Sequence, residues 1–171
     1  MKRFFESYKE TNSEIGGLLL VDKTDKCMAE YEALEMPDKW RLIKTEAVQM
    51  GDKFREVWDD YIRKEFVIVL NDDHVLKTKG WDHLVAGQIK GYNIVSTNDG
   101  WQAPRRLCGA IAISTKILKT LGWIFPPGVN HLFSDDAWEY VAGHAGCAQV
   151  MMDVMVEHAH ASKDEKLNDD V

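Results

Sequence analysis

The sequence predicts a single α/β domain, and three observations support this fold class. The chain has 171 residues, which is enough for one well-buried core but short for two domains. Hydrophobic residues make up 45% of the chain and charged residues 29%, as in ordinary globular proteins. Segments with helical spacing of apolar residues alternate with short apolar runs that are typical of strands. One domain with one active site is therefore expected.

In the first half of the chain, predicted helices alternate with predicted strands. The helices are expected around residues 4–8, 27–34 and 54–62, and the strands at residues 18–21, 40–43 and 66–70. The last of these strands, FVIVL, is apolar throughout and rich in β-branched residues, which predicts a central strand with both faces buried. In open α/β sheets, ligands bind beyond the carboxyl ends of the strands. Residues 71–74 are therefore a candidate site by their position.

The second half of the chain continues this alternation. The helices are expected around residues 81–89, 117–121 and 138–141, and the strands at residues 92–95, 109–113 and 150–156. The last residues are charged and poor in apolar side chains, which predicts a mobile tail. We accordingly divide the chain into a domain at residues 1–162 and a tail at residues 163–171.

Charge and composition argue against several classes of partner. The net charge of −7 argues against nucleic-acid binding, because that needs clustered Lys and Arg. The three cysteines, Cys27, Cys108 and Cys147, are far apart and form no C-x-x-C pair, which indicates reduced thiols in a cytoplasm. No apolar run approaches the roughly 20 residues that span a bilayer, and the first residues lack a signal-peptide core. We therefore expect a cytoplasmic protein without a membrane span.

The triplet Asp72, Asp73 and His74 is the strongest candidate for a metal site. Adjacent carboxylates at a strand end repel one another, and a cation compensates that repulsion. Asp72 and His74 are two residues apart, so in an extended segment they project to the same side and could reach one ion. Such oxygen-rich ligation suits Mn²⁺ or Mg²⁺. The alternative is that the two aspartates form a turn or cap the next helix.

Two more pairs of polar residues are candidates for chemistry. Asp135 and Asp136 stand between a Pro- and Gly-containing loop and a helix, where one carboxylate could act as a general base toward a hydroxyl. Simple N-capping by Ser134 or Asp135 is the alternative. His158 and His160 project to one side of a late strand and invite a zinc site, although zinc usually needs three or four ligands. A solvated histidine pair is the alternative there.

The turn at Asn98 and Asp99 is a candidate for substrate binding. It is followed by Gly100 and Trp101, and an aromatic side chain beside a turn could stack on a sugar. Asn98, Asp99 and Trp101 are therefore grouped as candidate substrate-binding residues.

These residues resemble the GT-A glycosyltransferases, particularly small bacteriophage and bacterial proteins related to family 2. The run FVIVLNDDHV at residues 66–75, followed by TKGWD at 78–82, is similar to the family's aspartate motif and its trailing Gly-Trp. VDKTD at 21–25 resembles the segment that contacts the nucleotide base, and residues 109–122 resemble the strand and Leu-Gly turn beside the acceptor site. The resemblance covers roughly residues 4 to 162. It implies a GT-A-like, Rossmann-like three-layer sandwich with a mixed, mainly parallel central sheet.

The resemblance implies a set of metal ligands. Asp72 and His74 correspond to the first and last positions of the D-x-D motif, with Asp73 between them, and the three residues would face the donor diphosphate and its metal ion. Histidine in the last position is a departure from the family's usual aspartate. His158 corresponds to a late histidine that completes the metal site. The metal would be Mn²⁺ or Mg²⁺.

The resemblance also implies catalytic and nucleotide-binding residues. Asp136 would be the catalytic base, with Asp135 beside it, and Asp22 would approach the base or ribose of the nucleotide. The family usually begins with a strand that enters the nucleotide pocket before the first helix, and this sequence departs from that pattern. Another polypeptide could supply the strand, or donor binding could be impaired.

The expected function is transfer of a sugar from a nucleotide-sugar to an acceptor hydroxyl, with inversion. The expected donor is a UDP-sugar above all, the acceptor is not indicated, and a homodimer is compatible with the sequence. The expected location is the cytoplasm, which is the host's if a phage encodes the protein. Two alternatives stay open at this point. One is a non-catalytic GT-A-like binding module, and the other is a metal-dependent hydrolase that uses His74, His158 and His160.

Overall fold

A computed structural model of the chain describes residues 1–104, 106–107, 110–129 and 134–159. Within these ranges the protein is mixed α/β, with seven helices and seven strands. The helices are α1 (Lys2–Glu10), α2 (Met28–Glu32), α3 (Met50–Glu56), α4 (Trp58–Tyr61), α5 (Trp81–Gln88), α6 (Thr115–Leu121) and α7 (Ser134–Ala145). None of these described helices is long and apolar enough to cross a membrane. The predicted tail at residues 163–171 lies outside the described residues.

The strands form two sheets. They are β1 (Gly17–Asp22), β2 (Trp40–Thr45), β3 (Phe66–Val69), β4 (His74–Leu76), β5 (Ile94–Asn98), β6 (Ile111–Ser114) and β7 (Ala148–His158). The larger sheet has five strands in the order β3-β6-β5-β7-β4, and β1 pairs with β2 in a separate two-stranded sheet. The expected strands were all found near their predicted positions, while β4 was not predicted.

The prediction of a mainly parallel sheet is wrong for the five-stranded sheet. Only the pairing of β5 with β7 is parallel, and the other three of its four pairings are antiparallel. The physical reason is visible between β5 and β6. The described part of their connection contains no helix, and neighbouring strands joined by a loop rather than by a helical crossover pair in opposite directions.

The central position belongs to β5 and not to β3, which is an edge strand of this sheet. Ile94, Val95, Ser96 and Thr97 of β5 are all fully buried. Ile94 and Val95 belong to different hydrophobic clusters, so both faces of the sheet are covered. Helices α1 and α5 cover the face of Val95, and α4, α6 and α7 cover the face of Ile94.

Strand β7 is bent by a bulge that brings its last residues to β4. The ladder between β5 and β7 shifts after Thr97, because Thr97 faces Met151 whereas Asn98 faces Met155. The side chain of Asn98 donates a hydrogen bond across this irregularity to the carbonyl of Met152, at 3.2 Å. Bulges bend a strand and re-aim the residues that follow. The end of β7 therefore curls away from β5 and pairs with β4.

The two-stranded sheet is attached to the rest of the fold mainly by side chains. Trp40 of β2 packs edge-on against Phe4 and Tyr8 of α1, and Leu20 of β1 packs into the cluster that contains Ile94. The buried carboxylate of Asp82, in α5, accepts hydrogen bonds from two backbone N–H groups just before β1. These contacts fix the position of β1 beside the larger sheet.

Candidate metal centre

The site begins with a tight turn between β3 and β4. The backbone N–H of His74 donates to the carbonyl of Asn71 at 3.2 Å, which closes a β-turn over Asp72 and Asp73. The prediction that Asp72 and His74 share one side assumed an extended segment, and the turn removes that alternation. Asp72 is exposed, whereas Asp73 is half-buried and His74 is buried.

The pairing of β4 with β7 brings a second histidine to this turn. His74 lies directly opposite His158 in the antiparallel ladder, and the two rings meet edge to face with centroids 5.0 Å apart. The backbone N–H of Ala159 donates to the carbonyl of Asp73 at 3.0 Å, and that of His158 donates to the carbonyl of Asp99 at 3.3 Å. Backbone hydrogen bonds therefore fix both histidines relative to the turn.

Asp73, His74 and His158 form a cluster with the composition of a metal site. One ligand atom from each residue lies within 4.8 Å of the ligand atoms of the other two. Nε2 of His158 and Oδ2 of Asp73 are 3.0 Å apart. The side chain of His158 is 24% exposed and that of Asp73 is 37% exposed, whereas His74 is only 4% exposed. The cluster is thus closed behind His74 and open to solvent at Asp73.

The carboxylate of Asp73 has a buried oxygen whose charge a cation would compensate. Burial alone raises the pKa of the Asp73 carboxyl, but the hydrogen bond from His158 and the nearby charges of His158 and His74 lower it below its usual range. The group is therefore a carboxylate at neutral pH. Within the described part of the chain, Oδ1 of Asp73 is buried and has no hydrogen-bond partner. A buried anionic oxygen without a donor is costly, and a cation would compensate it.

His74 is bound differently from the other two residues. Its Nδ1 atom accepts a hydrogen bond from the backbone N–H of Asn71, at 3.1 Å. In the neutral ring, Nδ1 is then the acceptor and Nε2 carries the proton. A metal ion would take His74 as a ligand only after this hydrogen bond is lost, either through Nδ1 itself or through Nε2 once the ring proton has moved to Nδ1. Asp73 and His158 are therefore the readier ligands, and together the donor set fits a divalent cation.

Asp72 belongs to a neighbouring acidic region rather than to the cluster. Burial raises the pKa of the Tyr31 phenol, and the negative charges of Asp25 and Asp72 raise it further. Asp72 therefore lies within electrostatic reach of Tyr31 in α2. Asp22 ends β1, and its Oδ1 atom accepts hydrogen bonds from the backbone N–H and the hydroxyl of Thr24, both at 2.8 Å. These bonds lower the pKa of Asp22.

The predicted substrate-binding turn borders the cluster, but its polar side chains shape the backbone. Asp99 is fully buried, and its Oδ1 atom accepts hydrogen bonds from the N–H groups of Trp101, Gln102 and Ala103. The carbonyl of Asn98's side chain accepts a hydrogen bond from the N–H of Gly100 at 2.8 Å. Trp101 is 53% exposed. Of the three predicted residues, Trp101 is therefore the one whose side chain is most open to solvent.

Asp135 and Asp136 lie in the first turn of α7 and do not belong to the cluster. Oδ1 of Asp136 accepts a hydrogen bond from Nη2 of Arg106 at 2.7 Å, and Nε of Arg106 is 3.7 Å from Oε2 of Glu139. These groups lie in an open groove of about 520 Å³ along one face of α7. The groove is lined by Arg106, Asp136, Glu139, Tyr140, Gly143 and His144. Asp136 is thus held by a guanidinium that the sequence did not point to.

Sequence reasoning named all three residues of the cluster, with His74 and His158 as metal ligands and Asp73 as a cofactor-binding residue, but it gave Asp72 as the metal-ligating carboxylate. It also missed Tyr31 and Arg106, for which the sequence carries no local signal. His160, the third histidine of the hydrolase alternative, lies outside the described residues.

No protein-family model matches the chain, and a search of curated proteins found no match.

Proposed function

We propose that this protein is a metal-dependent glycosyltransferase with a GT-A-like three-layer architecture. In this proposal it moves a sugar from a nucleotide-sugar, with UDP-sugars the first choice, to an acceptor hydroxyl with inversion. The observation that carries the proposal is the cluster of Asp73, His74 and His158 at the end of β3. Asp72, beside the cluster, and Asp25, in the loop that follows β1, both act electrostatically on Tyr31, and the sequence resemblance to GT-A enzymes assigns both segments to the binding of the nucleotide-sugar.

Each candidate residue has a role in this proposal. Asp73 and His158 hold a divalent cation, with His74 behind them. When bound, the cation supplies positive charge that offsets the donor diphosphate as it leaves. Asp22 faces the base or ribose of the nucleotide, and the exposed ring of Trp101 packs against the sugar.

Asp136 is the general base of this proposal. Its carboxylate accepts the proton of the acceptor hydroxyl as that oxygen attacks the anomeric carbon. Arg106 holds one carboxylate oxygen of Asp136, which orients the group. Asp135, in the same helical turn, is the second candidate for this role.

The experiment is a turnover assay with a panel of UDP-, GDP- and dTDP-sugars in the presence of Mn²⁺ or Mg²⁺. We expect release of the nucleoside diphosphate from at least one donor. Asp136→Asn should lower kcat by about 10²- to 10⁴-fold, because general-base catalysis contributes that much. Asp59→Asn is a matched control, because Asp59 is an exposed aspartate of α4. Absence of both binding and turnover with every donor would refute the proposal.

A non-catalytic nucleotide-sugar-binding module is the second candidate. One observation favours it, namely that Asp136 is engaged by Arg106 and a general base must give up such a contact or share it. The same panel separates the two functions. Donor binding without any release of nucleoside diphosphate, unchanged by Asp136→Asn, would support the binding module.

A further inference from the structure

Basic residues that are dispersed in the sequence meet at one end of the five-stranded sheet. They belong to residues 63–65, which precede β3, residues 90–93, which precede β5, and residues 114–119, which comprise the last residue of β6 and most of α6. We call these three segments together the basic end. The candidate metal centre follows β3, so it lies at the opposite end of that strand.

Hydrogen bonds to the backbone hold the three segments together. The N–H of Thr115 donates to the carbonyl of Glu65 at 3.0 Å, and its hydroxyl donates to the carbonyl of Lys64 at 2.6 Å. The hydroxyl of Ser114 donates to the carbonyl of Gly91, also at 2.6 Å. The arrangement of the segments therefore does not depend on the basic side chains, which are free to serve another purpose.

The basic end is strongly positive in an acidic protein. Its single acidic residue is Glu65, against five basic residues, so its net charge is +4 in a chain whose net charge is −7. Within the described residues, none of the five basic side chains forms an ion pair, whereas several elsewhere, such as Arg41 and Lys44, pair with carboxylates. All five are exposed, and they are Arg63, Lys64, Lys90, Lys116 and Lys119.

An exposed aromatic ring lies among these cations. Tyr92 is 62% exposed, and Nζ of Lys116 is 6.0 Å from the centre of its ring. A tyrosine ring is apolar on its faces and polar at its hydroxyl, which suits the headgroup level of a lipid bilayer. Basic side chains around an exposed aromatic residue are typical of surfaces that bind to membranes without crossing them.

The same chemistry fits a nucleic acid less well. Proteins that bind single strands offer successive aromatic rings along a positive groove, and the basic end contains one aromatic residue, Tyr92. A membrane instead presents a plane of phosphates, which a compact group of lysines on flexible stems can reach together. Charge complementarity and the single ring therefore favour an anionic lipid surface.

We propose that the basic end binds the surface of membranes that contain anionic phospholipids. Clusters of about four to eight Lys and Arg residues bind such surfaces, and the five basic residues here fall within that range. The ring of Tyr92 lies at the level of the headgroups, and the candidate metal centre lies on the side away from the lipid. This proposal goes beyond the proposed function and does not rest on it.

The experiment sediments the full chain with lipid vesicles. One set contains phosphatidylcholine alone, and the other contains about 30% phosphatidylglycerol as the anionic lipid. We expect binding only to the anionic vesicles. Binding should be lost when the salt concentration is raised from about 0.1 M to about 1 M, because the screening length falls from about 10 Å to about 3 Å.

Matched double variants locate the contact. Lys64→Gln with Lys116→Gln should weaken binding to anionic vesicles by about 25-fold, because each lysine near such a surface contributes about fivefold. Lys2→Gln with Lys9→Gln removes the same charge from exposed lysines of α1 and should weaken binding by less than about twofold, because α1 is outside the basic end. Circular dichroism confirms that both variants are folded.

A third variant tests the ring. Tyr92→Ser leaves the charge unchanged and should also weaken binding to anionic vesicles, because the apolar faces of the ring are lost from the headgroup region.

Four results would overturn the proposal. They are equal binding to the two kinds of vesicle, equal losses in the two double variants, unchanged binding in Tyr92→Ser, and tighter binding to a single-stranded oligonucleotide than to anionic vesicles at the same phosphate concentration. The last result would assign the basic end to nucleic acid instead of to lipid.

Discussion

The acidic turn after β1 and the acidic turn after β3 look alike in sequence but are held in different ways. Asp22 uses its carboxylate within its own turn, where both donors belong to Thr24, two residues away. Asp73 finds its partner in His158, 85 residues away in the sequence. The first turn is part of the two-stranded sheet, and the second lies where the five-stranded sheet curls.

This difference separates an acidic residue that shapes a loop from one that is prepared for a ligand. The bonds from Thr24 satisfy one oxygen of Asp22 locally and give the loop its form. Asp73 is held by contacts between distant strands, yet it keeps a buried oxygen with no partner in the described residues. A carboxylate that is fixed in position and incompletely satisfied is a better place to bind a cation than one that serves its own backbone.

The largest expected effect tests the sheets that carry the two turns. Ile113 of β6 is fully buried, whereas Ile43 of β2 is half-buried. Ile113→Ala should lower the free energy of unfolding by about 3 to 4 kcal/mol, because a buried cavity cannot collapse. Ile43→Ala should cost less than about 2 kcal/mol, because the site is partly open to solvent. Urea denaturation measures the free energy of unfolding of both variants. Equal losses would show that the two sheets do not differ in how well their cores are buried.

A smaller effect is expected at the link between the two regions. Oδ2 of Asp82 accepts hydrogen bonds from the N–H groups of Glu14 at 2.6 Å and Ile15 at 2.8 Å, just before β1. Asp82→Ala should lower the free energy of unfolding by about 2 kcal/mol, because it leaves these donors without an acceptor.

Asp82→Asn keeps an acceptor oxygen at this link and should cost less. In Asp82→Ala, hydrogen exchange should speed up in β1 and β2 more than in β5, because the two-stranded sheet depends on this anchor. Equal acceleration in all strands would mean that the two sheets open as one unit.

The positions of the strands could be predicted from the sequence, but their order could not. A run such as FVIV at β3 is apolar and rich in β-branched residues. This pattern fits a central strand, but it also fits an edge strand that is packed against helices. The strand that is actually central contains Ser96 and Thr97, and polar residues are not typical of a strand that is buried on both faces. Thr97 is tolerated there because its hydroxyl accepts a hydrogen bond from the N–H of Ala110 at 3.0 Å.

The candidate site was predictable as a region and not as a set of ligands. Position after a strand pointed to residues 71–74, and the resemblance added His158. Whether Asp72 or Asp73 faces His158 depends on the turn closed by Asn71, because alternation of side chains holds only in extended backbone. The cross-strand pairing of His74 with His158 depends in turn on the bulge in β7, and no local sequence pattern predicts that bulge.

The smallest expected effects are changes in the pKa values of Asp22 and Asp73, which report the contacts that hold each carboxylate. The pKa of both carboxyls is lowered, so each contributes stability that is present above the usual range near pH 3.9 and is lost as the pH falls through the lowered value. Titration of the carboxyl carbons by NMR gives both values in one experiment.

Thr24→Val should raise the pKa of Asp22 only in part, because the backbone N–H of residue 24 is the larger cause and remains, and it should leave that of Asp73 unchanged. His158→Gln should raise the pKa of Asp73 and leave that of Asp22 unchanged, because the hydrogen bond and the charge of the imidazole are lost from one turn only. If the pKa of Asp73 did not rise at all in the His158 variant, His158 would not be the residue that holds this carboxylate, and the distinction between the two turns would fail.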